Sequence, residues 1–155
     1  MDKYHHTSGI KVKSLEKAPN EICAAAFVNK DSGMQHVIKI EGRIMAFSPD
    51  SLRMYVAVIQ SDSIIKAVEI LPEQVKKKAF TLFPENLYIA PGNFYVGYIY
   101  KFAHPCDVFY LTNKNFPNHI FSLQQDAPET FSIAGDAPDI YQMFYRTPQL
   151  RIVAK

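Results

Sequence analysis

Tryptophan is absent from the chain, and cysteine and glycine are scarce, with two and six among 155 residues. Two cysteines, Cys23 and Cys106, are too few for a disulfide scaffold, so reduced thiols are the simplest reading. With so few glycines there is no Gly-rich phosphate loop, no dinucleotide fingerprint and no glycine-flanked nucleophile elbow. An excess of charge of one sign is missing too. Seventeen Lys and Arg stand against fifteen Asp and Glu, a net of +2 that gives no reason to expect nucleic acid or an anionic membrane as partner. No apolar run reaches the roughly 18 residues a membrane-spanning helix needs. Met1 to Leu15 has no apolar core of the export-signal type, so for a full-length chain cytoplasm or virion would be expected. Hydrophobic residues at 48% are too many for a disordered chain, and the length predicts one domain with a core of its own.

What is present is unevenly spread. Up to Lys78 the chain holds 12 basic and 9 acidic residues; beyond it only 5 and 6. Of the 20 aromatics, sixteen lie beyond Lys78, as do seven of the ten prolines. Chain so poor in charge and rich in aromatics is either core or a surface that another molecule covers.

Strand patterns dominate. Ile10, Val12 and Leu15 mark a short first strand, with residues 1–9 a flexible N-terminus. Ile22 to Val28 runs into the turn-forming Asn29–Gly33, and Gln35 to Phe47 follows, where Gly42 reads as a bulge. Leu52–Ile59 and Ile64–Leu71 flank Ser61-Asp62-Ser63 as a hairpin. Met54, Val56 and Val58 alternate with Tyr55, Ala57 and Ile59, which predicts a central strand apolar on both faces. Pro72–Val75 reads as one helical turn, Ala79–Phe83 as a strand, and Ala90-Pro91-Gly92-Asn93 as a type II turn with glycine at φ > 0. That turn launches Phe94–Tyr100. Beyond Ala103 the strands shorten to Val108–Leu111, Ile120–Leu123, Phe131–Ile133 and Leu150–Val153, with a helical turn at Ile140–Tyr145. The reading is an all-β sandwich of about seven to nine strands, with residues 103–155 an irregular, partner-binding extension.

The stretch Phe80-Thr81-Leu82-Phe83 … Leu87 … Pro91-Gly92-Asn93-Phe94-Tyr95-Val96 resembles the "Phe-x-Phe … Leu-x-Pro-Gly-x-Tyr-x-Val" pattern of immunoglobulin-like and transthyretin-like β-sandwich modules. The resemblance spans residues 37 to 102 and implies an immunoglobulin-like architecture without catalytic content.

His104 and Cys106 are two apart, as two zinc ligands could be, but the further ligands would have to come from Cys23, His36 or His119 at no recognised spacing. Cys106 with His104 or His119 as base lacks any supporting signature. His5-His6 sits in a terminal segment. Asp126 with Glu129, and Asp136 with Asp139, each frame an Ala-Pro and read as turn caps. Lys76-Lys77-Lys78 is the only basic run; flanked by Glu69, Glu73 and Glu85, it reads as a sheet edge guarded by lysines. The expectation is therefore a protein that is not an enzyme and takes no cofactor or metal.

Its function is read as structural: an interaction protein in a larger assembly, in the style of accessory proteins that decorate virus or phage capsids or join tail parts. Partners would be proteins, other copies of the chain included. A surface module binding carbohydrate or protein is the alternative, a nucleic-acid-binding domain the second, and no membrane is expected. The candidate interaction surface is Tyr95, Tyr98, Phe109, Tyr110, Phe116, Tyr141, Phe144 and Tyr145, since tyrosine offers an apolar ring with a polar tip.

Overall fold

The computed structural model describes residues 7–13, 21–44, 47–103, 107–113, 118–127, 130–136 and 147–155. These residues are all-β, with no α-helix among them. The strands are β1 (Thr7–Lys13), β2 (Glu21–Asn29), β3 (Gln35–Gly42), β4 (Leu52–Gln60), β5 (Ser63–Ile70), β6 (Phe80–Leu82), β7 (Tyr88–Ile89), β8 (Gly92–Phe102), β9 (Asp107–Asn113), β10 (Asn118–Ala127), β11 (Thr130–Asp136), β12 (Thr147–Pro148) and β13 (Leu150–Ala154). Thirteen strands are present among the described residues where about seven to nine were expected, and three of them, β6, β7 and β12, are only two or three residues long.

The alternation in β4 is realised on both faces. Met54, Val56 and Val58 enter one core, and Tyr55, Ala57 and Ile59 a second. β4 lies inside a six-stranded sheet of order β11-β10-β2-β8-β4-β5, antiparallel throughout. One cross-strand row in that sheet consists of Ala67, Ala57, Gly97 and Ala24, ending at His119. Small residues along a row leave room on that face, so the sheet can bend toward it. It curls into a half-barrel, bringing β11 round to β5. Across the concave side the rings of Tyr55 and Phe131 lie 5.4 Å apart. At one end of this side Arg53 donates from Nε and Nη2 to the two Glu69 oxygens at 2.9 and 2.7 Å, and its guanidinium stands 5.6 Å from the Tyr55 ring centre. The hydrogen bond from Arg53 holds the Glu69 carboxyl below its ordinary range, helped by the Arg53 charge and opposed by burial.

The opposite face packs on a smaller sheet of order β13-β3-β6, with β7 also on β3, in a sandwich-like arrangement. Val37, Ile40, Phe80, Leu82, Leu87, Ile89, Leu150 and Ile152 meet Met54, Val56, Val58, Val96 and Tyr98. Gly42 is not a bulge. It pairs in register with Phe80 and Leu150, and a Cβ there would come within 2.5 Å of the Phe80 ring and 2.7 Å of the Tyr98 Oη. The bulge falls at Ile38 instead: Val153 faces Lys39 and Ala154 faces Val37, so Val37 and Ile40, three apart, both turn inward.

The turns follow their chemistry. Ser61 and Asp62 take φ of 55° and 59°, the pair of left-handed positions that a two-residue hairpin loop prefers. Gly92 has φ +110°, as its place after Pro91 requires. Gln60, buried beside that turn, donates to the Ala90 carbonyl at 2.8 Å and accepts from the Ala90 N–H at 2.9 Å, satisfying its amide while fixing the loop. Pro72–Gln74 forms a single 3-10 turn. The described residues of the C-terminal third are not an irregular extension. β10 pairs with β2 inside the large sheet, β13 pairs with β3 in the small one, and β9 lies between β1 and β12. The helical turn expected at Ile140–Tyr145, and Leu15, lie outside the described residues.

Gly42→Ala should lower stability by about 1–3 kcal/mol through overpacking. Urea denaturation in a Phe80→Ala background checks the cause: with the ring removed the alanine should cost much less, and an unchanged cost would assign the effect elsewhere.

Candidate interaction surface on the small sheet

The chain between β5 and β8 alternates in and out of the core. Phe80, Leu82, Pro84, Leu87 and Ile89 are buried, while Phe83 and Tyr88 are exposed and Thr81 lies between the two classes. The period of two in β6 sets Phe83 on the side of Thr81, away from Phe80 and Leu82. Phe83 is 72% exposed and Tyr88 47%. Both lie on the same side of β3, since β6 pairs with Ile40–Gly42 and β7 with Gln35–His36. The Tyr88 ring stacks on His36 at 4.7 Å and 20°, and His36 exchanges backbone hydrogen bonds with Lys155 at 3.3 and 2.9 Å. On the same outward face Glu41 is approached by Lys39 at 3.5 Å and Arg151 at 3.8 Å. Two exposed aromatics bordered by a charged, partly paired strip form a surface suited to protein contact.

One end of β6 carries the lysine run. Lys76 and Ala79 exchange N–H···O bonds of 2.8 and 3.1 Å, closing a two-residue turn on Lys77 and Lys78. Those residues have φ of 53° and 62°, a region L-residues enter at a cost of about 1–2 kcal/mol each. All three lysines are exposed. Beyond Lys76 the returning chain leaves β6, drawn off by the 3-10 turn, where the Gln74 N–H donates to the Leu71 carbonyl and the Gln74 side chain accepts from the Leu71 N–H. The gap is a groove of about 390 Å³ lined by Glu73, Gln74, Lys76, Ala79, Phe80 and Thr81.

Of the residues expected to form an interaction surface, Tyr95 and Tyr98 are not brought together. Tyr95 and Tyr98 are three apart on β8 and so face opposite sides of the sheet. Tyr98 is in the main core at 2% exposure, a correction that follows from this parity. Tyr95 is half-buried on the concave side, its ring 5.6 Å from His119 and 5.2 Å from Phe121. Phe109 and Tyr110 stand in β9 opposite Lys11 and Ile10, and Phe116, Tyr141, Phe144 and Tyr145 lie outside the described residues. His5, His6, His104, Cys106, Glu129 and Asp139 also lie outside them. Cys23 stands in β2 opposite Ile120, while His36 and His119 belong to different sheets. Among the described residues no three His, Cys, Asp or Glu gather as a metal site would need, and no helix is long and apolar enough to cross a membrane. Phe83 and Tyr88 were missed, although their place in the alternation with Phe80, Leu82, Leu87 and Ile89 was there to be read.

No family model matches the chain, and neither curated proteins nor solved structures give a match.

Replacing Lys77-Lys78 by Asn-Gly, residues that accept the left-handed region readily, should raise stability by about 1 kcal/mol. Thermal melts at matched ionic strength check it; a lower melting temperature would mean that the lysines hold the turn by contacts not accounted for.

Proposed function

We propose that the protein is a non-enzymatic interaction module within a larger assembly, and that it meets its partner on the outward face of the small sheet around Phe83 and Tyr88. The observation that carries this reading is the joint exposure of those two rings, Phe83 at 72% and Tyr88 at 47%, on one side of β3. A solvent-facing phenylalanine gains nothing for the free fold, whereas burying it against a partner removes apolar surface from water. An accessory role in a virus or phage particle is the kind of assembly we attach to this reading. The finer fold assignment, an immunoglobulin-like or transthyretin-like sandwich, is part of the same proposal and is supported by the Pro91-Gly92 stretch at the head of β8.

A second reading, a carbohydrate-binding module, is favoured by the Tyr88 ring, which is stacked on His36 and open to solvent. A sugar could lie on such a flat platform.

The two separate on one pair of substitutions. Co-expression with the proteins encoded beside it, followed by size-exclusion chromatography, should yield a co-eluting complex. Phe83→Ser with Tyr88→Ser should weaken it by about thirtyfold or more, the factor for losing a contact of about 2 kcal/mol. A complex indifferent to both changes would contradict the surface. Glycan-array binding lost on Tyr88→Ser alone, with no protein complex, would favour the carbohydrate reading.

A further inference from the structure

The lysine turn also determines which way the backbone of β6 points. In an antiparallel ladder a residue that exchanges both hydrogen bonds with one neighbour turns its N–H and C=O to that side, and the next residue turns them to the other. Ala79 exchanges both with Lys76, on the side away from β3. Phe80 and Leu82 therefore direct theirs at β3, opposite Gly42 and Ile40, and Thr81 directs its N–H and C=O away from β3. β6 ends the order of its sheet, so no described strand takes up those groups. They open into the groove that Thr81 itself lines. The same alternation turns the Phe83 backbone outward two residues on.

Lys76 is thus the first rung of a ladder that stops after one step, with a vacant rung at Thr81 beside it. Charge around the gap has a sign. Glu73 and Lys76 line it, and Lys77 and Lys78 stand exposed at the adjoining turn, so cations outnumber the acid there. None of the three lysines has an ion-pair partner among the described residues.

We propose that the free edge of β6 accepts an extended, acidic segment of a partner protein as an added strand. Its backbone pairs with Thr81, and its carboxylates lie against Lys76, Lys77 and Lys78. This rests on the reading of the small sheet as an interaction surface and specifies how the partner is held: main-chain pairing gives affinity, and the lysines select for acidic sequence. A purely protective role of the lysines, keeping other strands off an exposed edge, predicts the opposite outcome.

Fluorescence anisotropy on the full chain decides between them. The probe is a fluorescein-labelled peptide of about eight residues alternating glutamate and valine, with a lysine–valine peptide as its counterpart. The acidic peptide should bind saturably, at least about tenfold more tightly than the basic one, and more weakly as salt rises. Thr81→Pro deletes the N–H that Thr81 offers to the edge and leaves the bonds to β3 in place; it should cost at least about tenfold, while Thr81→Val, which keeps the N–H, should bind as the parent does. Lys77→Glu with Lys78→Glu, both at an exposed turn, provides a second variant should the proline disturb folding by circular dichroism, and should abolish the preference for the acidic peptide. No saturable binding to the parent chain, or equal binding by Thr81→Pro, overturns strand addition. A partner complex that is lost with Phe83→Ser and Tyr88→Ser but unaffected by Thr81→Pro would also overturn it and leave the surface reading standing.

Discussion

A sheet that is apolar on both faces has to be covered twice, and the rest of this structure follows from that requirement. β4 imposes it, since Met54, Val56 and Val58 point one way and Tyr55, Ala57 and Ile59 the other. β8 repeats the demand with Val96 and Tyr98 against Ile99. With no α-helix among the described residues to lay over either face, one is met by a second sheet and the other by the large sheet bending over itself. The bend depends on the small-residue row through Ala57, Gly97 and Ala24, where larger side chains would crowd the concave side. Ile22, Ile59, Ile99 and Phe121 then fill that side from the adjoining rows.

The functional consequence lies in what remains uncovered. The small sheet spends its inner face on the main core, leaving an outer face on which Phe83, Tyr88 and His36 stand beside Lys39, Glu41 and Arg151. It also leaves the β6 edge, because the chain that could have paired with it is drawn away by the Pro72–Gln74 turn after the single rung at Lys76. The left-handed conformations at Lys77 and Lys78 are held by that tight reversal, where glycine or asparagine would be the easier choice. Strain, exposed cations, a groove and two exposed aromatics thus occur along one short segment, residues 71–88.

Local signals carried most of the strand reading. The double alternation in Leu52–Ile59 identified a covered strand, Ser61-Asp62 marked a hairpin, and Gly92 after Pro91 marked a left-handed turn. Gly42 could not be understood from its own neighbourhood, because the atoms that exclude a side chain there belong to Phe80 and Tyr98, 38 and 56 residues further along. The described strands of the C-terminal third were misjudged because its apolar runs are short and separated by prolines, whereas β10 and β13 are set by pairing with distant β2 and β3. Tyr98 was misplaced, and Phe83 passed over, for a different reason. Aromatic density directed attention to residues 94–110 and beyond, although parity alone separates Tyr95 from Tyr98 and places Phe83 outward.

The requirement for two cores is tested most directly by residue-resolved native-state hydrogen exchange. Amides in the centres of β4 and β8, around Val56–Val58 and Val96–Tyr98, should be the slowest in the molecule. They should exchange only with global unfolding, at one free energy that matches the value from denaturant titration. If the β4 and β8 amides instead exchanged through an opening several kcal/mol below global unfolding, the doubly covered sheet would not be the foundation of the fold, and the account would be wrong.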